Sequence, residues 1–125
     1  MLRYLLLLAT CCMSLVTFAQ EAASLDGDWK ARFESLRGAA LEADVKIGEA
    51  AGTWRTLASN RFDKCIGREF PLVISNLGAE GFDLAIYRSK ALTGCQDSVY
   101  KMHRVNDKTY ESQFEDGRKF QLVRQ

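Results

Sequence analysis

Cys65 and Cys95 bracket two apolar, β-branched runs, Phe70 to Ser75 and Phe82 to Tyr87, and no other feature constrains this chain as strongly. Between the runs lies the turn-rich segment Asn76-Leu77-Gly78-Ala79-Glu80-Gly81. Cys65 precedes the first run by five residues and Cys95 follows the second by eight. Folding at Gly78 to Glu80 therefore brings the two sulfurs near register. Paired antiparallel neighbours can supply the Cα separation of roughly 4.4–6.8 Å that a disulfide needs. The expectation is one long β-hairpin, clipped at its open end by Cys65–Cys95.

The first residues read as an export signal. Arg3 supplies a positive start, Tyr4 to Val16 is a nearly unbroken apolar run, and Thr17-Phe18-Ala19 places small residues where a signal peptidase reads. Cleavage is expected after Ala19, giving a signal peptide over 1–19 and one domain over 20–125. The apolar run is shorter than the roughly 20 residues of a membrane-spanning helix, so no span is expected in the mature form. Cys11 and Cys12 would leave with the signal, and Cys65 and Cys95 would remain as the only thiols. An even pair in an oxidising compartment predicts a single bridge in a periplasmic or secreted protein. The bridge encloses 29 residues, a loop for which chain entropy gives about 3 kcal/mol of stabilisation.

Removing 19 of the 125 residues leaves 106, with Arg3 the one basic residue lost from 17, so 16 basic face 16 acidic residues. Formal neutrality argues against nucleic acid and anionic membrane surfaces, which require net basic character. Small ligands and protein partners stay open. No linker, repeat or low-complexity tract divides the mature chain.

Period-2 patterning runs through the mature sequence. Trp29, Ala31 and Phe33 alternate with Lys30, Arg32 and Glu34. Leu41, Ala43, Val45 and Ile47 alternate with Glu42, Asp44 and Lys46, a set that would scatter around a helix despite good helix formers nearby. Gly48 to Gly52 is read as the next turn, leading into Thr53 to Ala58 with Trp54 inward rather than Thr53 and Leu57. Ser59 to Gly67 is polar and irregular. Ser98 to Val105 points Tyr100 and Met102 one way and Lys101 and His103 the other, and Asn106-Asp107 turns the chain. For the last hairpin, a two-residue loop at Asp116-Gly117 would mix the faces. A three-residue loop with Gly117 left-handed pairs Phe114 with Arg118, Ser112 with Phe120 and Tyr110 with Leu122, and so aligns the apolar sets. Pro71, the only proline, is placed at a strand start, where its missing donor matters least.

Eight consecutive antiparallel strands predict an all-β, up-and-down barrel with one disulfide, because closure removes exposed edges. Gly27-Asp28-Trp29 on the first strand resembles the Gly-x-Trp signature of the calycin barrels, which include lipocalins, avidins and small bacterial metalloprotease inhibitors. That resemblance implies a basic residue near the chain end packed over the Trp, and Arg124 stands at the matching position. Gly48 to Thr56, with Gly52-Thr53-Trp54, is similar to the second hairpin of avidins; the other aromatics of a biotin pocket are not placed in this sequence, so biotin binding is not carried over. The alternative is that Trp29 is a core aromatic at a strand start.

Recognised catalytic patterns are lacking in the sequence. His103 is the only histidine and falls on an outer face, with no nucleophile paired to it by a local motif. Both cysteines are consumed by the bridge, leaving no metal-ligand cluster, and no cofactor motif is present. Carboxylates such as Glu42 with Asp44 and Asp26 with Asp28 belong to wet faces. The expected class is therefore a non-enzymatic binding protein.

Two binding modes are consistent with this pattern. In one, a protein partner meets the clipped loops through Arg68, Glu69, Lys90, Thr93, Gln96 and Asp97, since preorganised loops bind at lower entropic cost. Ordinary turn chemistry around a structural disulfide explains the same residues. The metalloprotease inhibitors of the resembled superfamily act through an extended N-terminal segment, to which Gln20 to Leu25 would correspond. In the other mode a small apolar ligand lies among Trp29, Trp54, Phe70, Phe82, Tyr100 and Tyr110, unless these rings fill the barrel themselves.

Overall fold

A computed structural model describes residues 24–58 and 63–125. The expected signal peptide, its cleavage site and residues 59–62 lie outside them. Eight strands, β1 (Gly27–Glu34), β2 (Ala40–Gly48), β3 (Ala51–Thr56), β4 (Glu69–Gly78), β5 (Gly81–Ile86), β6 (Ser98–Asn106), β7 (Thr109–Gln113) and β8 (Lys119–Arg124), pair in sequence order. β8 returns to β1, giving a closed antiparallel barrel, the up-and-down architecture that the alternation predicts.

Alternation decides what is inside. β1 buries Trp29 and Ala31, β2 buries Ala43, Val45 and Ile47, and β3 buries Trp54, whose indole Nε1 donates to Thr56 Oγ1 at 3.1 Å. The Ala40–Gly48 segment is a strand, because only period 2 puts its apolar residues on one side. The last hairpin has the bulged turn: Phe114 N donates to Arg118 O at 2.8 Å, Gly117 has φ +87°, and Ser112 and Tyr110 face Phe120 and Leu122.

Several local features differ from those the sequence predicts. The turn after β2 is Glu49-Ala50 alone, both at positive φ (53° and 62°), a geometry whose twist matches the flanking strands. Ala51 and Gly52 already belong to β3, and Gly52 is required there because a Cβ would lie 1.7 Å from the Lys46 carbonyl oxygen. The β6–β7 turn is Asp107-Lys108, with Asn106 still in β6 and its Oδ1 accepting from Lys108 N at 2.9 Å. Pro71 is the third residue of β4 instead of its start. Its carbonyl still accepts from Tyr87 N at 2.9 Å, and its absent donor faces the point where β5 has ended. One helical turn, α1 (Arg88–Ala91), follows β5 where no helix was expected.

Candidate functional site at the clipped end

Antiparallel order sorts the connections by end. Residues 35–39, 57–58, 63–68, 87–97 and 114–118 lie at one end, whereas the turns 49–50, 79–80 and 107–108 join Ser24 and Gln125 at the other. The longest connections carry Cys65 and Cys95, which are bridged with Cα atoms 5.8 Å apart. Cys95 is buried and Cys65 half-buried.

Side chains pin the bridged loops further. Asp63 Oδ1 accepts from Cys65 N at 2.9 Å. Asp97 clasps the start of α1, its carboxylate oxygens accepting from Ser89 N at 2.9 Å and from Ser89 Oγ at 2.8 Å. The Ser89 amide, then its hydroxyl, holds the Asp97 carboxyl below its ordinary range. Arg88 Nη1 donates to Ser98 Oγ at 2.9 Å and to Gln96 O at 3.4 Å, with the guanidinium 5.9 Å from the Phe70 ring centre. Lys90 Nζ stands 4.3 Å over the Tyr87 ring.

Arg68, Glu69, Lys90, Thr93, Gln96 and Asp97 are all exposed. Lys90, Thr93, Gln96 and Asp97 share the α1 connection. Arg68 and Glu69 lie across the bridge at the start of β4, where Glu69 faces Arg55 of β3 and lines an open outer cleft of about 520 Å³. Arg88 and Ser89, which organise the α1 loop, were missed by the sequence reading because α1 itself was missed.

The aromatic residues expected around a ligand fall into two groups. Near the unclipped end, Tyr110 meets Trp29 and Phe82 with ring centres 5.8 and 4.8 Å apart. Near the clipped end, Phe120 meets Trp54 at 6.4 Å and Tyr100 at 5.1 Å. Phe33 and Phe114 complete this second group, and Phe114 stacks on Phe120 at 4.7 Å. Trp29, Trp54, Phe70, Phe82 and Tyr110 are buried, and Tyr100 is half-buried. Phe33, Phe114 and Phe120 were absent from the expected set, although alternation already pointed Phe33 and Phe120 inward. The β1–β8 ladder ends at Arg32 and Gln121, and beyond it an open cleft of about 490 Å³ is lined partly by Phe33 and Phe120.

At the opposite end Leu25 is buried under the barrel, and Trp29 Nε1 donates to its carbonyl at 2.8 Å. Arg124 lies 4.4 Å over the Trp29 ring and donates from Nη1 to Asp26 O at 2.8 Å and from Nη2 to Ser24 O at 2.7 Å. The contact between Trp29 and Arg124 is the one the calycin resemblance implies. Comparison with family models, curated proteins and solved structures finds no match. His103 is exposed on the outer face of β6. Among the described residues no cluster of three or more His, Cys, Asp or Glu could hold a metal ion, and no helix is long and apolar enough to cross a membrane.

Proposed function

We propose that the protein is a small exported, non-enzymatic binding protein of calycin type that recognises a protein partner through its clipped end. The observation that carries this reading is the Cys65–Cys95 bridge, which joins two loops whose exposed side chains include Arg68, Glu69, Lys90, Thr93, Gln96 and Asp97. Loops already fixed by a bridge, by the Asp97–Ser89 clasp and by Arg88 lose little entropy on binding, and mixed charge favours selective contacts. Inhibition of an exported enzyme is one form such recognition would take.

The test compares wild type with an Arg68→Ala, Glu69→Ala, Gln96→Ala variant as bait for proteins exported by the source organism. Loss of a specific partner from the variant, at unchanged thermal stability, supports the clipped end. Retention there, with loss on deletion of Gln20 to Ala23, moves recognition to the opposite end, where Arg124 holds Ser24. Intact mass of the exported form checks the remaining part: 20–125 with no free thiol is expected.

The alternative is a calycin-type carrier of a small apolar ligand. It is favoured by the open β1–β8 cleft, lined partly by half-buried Phe33 and by Phe120, against which Phe114 and Tyr100 pack. Saturable quenching of Trp54 fluorescence by apolar probes, with no protein partner captured, would select it.

A further inference from the structure

On β1 and β2 apolar residues alternate with charged ones, but β4 reads Phe70-Pro71-Leu72-Val73-Ile74 and β5 continues Leu84-Ala85-Ile86 into Tyr87 without a break. Unbroken apolar runs characterise strands covered on both faces. Phe70, Leu72, Ile74, Leu84 and Ile86 fill the inside. Pro71, Val73, Ala85 and Tyr87 therefore face outward, and register extends them into Val99 of β6.

Val73 pairs with Ala85 and Ala85 with Val99 in one outer row, in which Val73 is 40% and Val99 69% exposed while the small Ala85 between them is only 9% exposed. Single exposed apolar residues are ordinary; here two exposed valines flank a buried alanine along one line across three strands, a narrow apolar strip. The wall of β1–β3 differs in kind. There Lys30 meets Asp44 at 2.5 Å, Arg55 meets Asp44 at 3.2 Å and Arg32 meets Glu42 at 3.6 Å.

We propose that the β4–β5–β6 wall binds a second copy of this chain, face to face, about a two-fold axis running along the Val73–Ala85–Val99 row. The polar groups flanking the row favour this occupant. On one side stand Pro71, Tyr87 and, two residues before Val99, Asp97; on the other stand Ser75, Asp83 and Lys101, paired across the strands. Rotation about the row sets Asp97 against the partner subunit's Lys101 and Tyr87 against the partner subunit's Asp83, and each contact occurs twice. Val99, on the axis, meets its own copy. Ser89 and Asn76 occupy part of the Asp97 and Asp83 carboxylates, and a carboxylate has about four acceptor sites. The patch is smaller than the roughly 800 Å² per partner of a standard interface, so the dimer is weak and reversible.

Sedimentation of the folded protein from about 1 μM to about 1 mM reads the association directly. The apparent mass should rise from one copy to two, and Val99→Lys should weaken association at least about tenfold, or 1.4 kcal/mol. Lys101→Glu should weaken it as well, and Lys101→Glu combined with Asp97→Lys should restore it. Under mild oxidation Val99→Cys should give a cross-linked dimer, whereas Gln121→Cys on β8 should stay monomeric. A single cooperative thermal transition establishes that each variant is folded; the variant carrying Asp97→Lys loses the Ser89 clasp and melts somewhat lower. A single-copy mass at every concentration, a dimer indifferent to Val99→Lys, equal cross-linking at both cysteines, or a different exported protein captured on this wall would each overturn the proposal.

Discussion

The two ends of the barrel close by different physical means. At the Trp29 end, three two-residue turns leave no loop to order, and closure comes from packing: Leu25 beneath the sheet, the indole bonded to its carbonyl, and Arg124 over the ring. At the Cys95 end, long connections would be costly to order by packing alone, since each fixed residue costs about 1–2 kcal/mol of backbone entropy. A covalent bridge, the Asp97–Ser89 clasp and a half-buried ring cluster act there instead. One end is committed to closing the barrel. The other keeps exposed polar loops in a fixed shape, as the proposed recognition would require.

That contrast predicts where substitutions act. Trp29→Ala should have the largest effect, about 3–5 kcal/mol, seen as a lower urea midpoint with the bridge intact. Replacing both Cys65 and Cys95 with Ser should cost about 3 kcal/mol. Hydrogen exchange should then accelerate first in 88–97 and leave the Trp29 end protected. Arg124→Ala should cost about 1–2 kcal/mol through its lost charge-assisted hydrogen bonds and ring contact. Exchange should rise at Asp26 and not at Ser89. Equal acceleration at both ends in either variant would mean that they are not independent.

Smaller effects test finer detail. Ala50 sits at φ +62°, where a Cβ is disfavoured, so Ala50→Gly should stabilise by about 0.5 kcal/mol after the added chain entropy of glycine is subtracted. Calorimetry should register a rise of about 2–4 °C. Ser89 depresses the folded pKa of Asp97 below its unfolded value. Its stabilisation is therefore fully present above about pH 4 and lost as pH falls through the folded pKa. Urea midpoints of wild type and Asp97→Asn, measured from about pH 6 to pH 2, should converge below about pH 4; a constant difference would show that charge is not involved.

The site was less legible in the sequence than the frame that carries it. Cys65, Cys95 and the exposed loop residues could be named from spacing and polarity. Polarity marks Asp97 without its partner Ser89 and does not mark Arg88, because a four-residue helix has no period long enough to detect. Alternation puts Tyr100 and Trp54 on the same inner face as Trp29 and Phe82, whereas the barrel separates them toward opposite ends. Position along the barrel axis depends on the register of all eight strands.

The sequence by itself determined the eight strands, their inward faces, the bulged Phe114–Arg118 turn and the cysteine pair. These follow from side-chain alternation and from spacings within one hairpin, which neighbouring residues contain completely. Only the tertiary structure decided that Arg124 would hold Ser24 and Asp26, that Asp97 would clasp Ser89, and that exposed Val73 and Val99 would line up on either side of Ala85. Those contacts join strands, loops and termini whose relative positions are set by ring closure and by cross-strand hydrogen bonding, and no local window of the chain carries that information.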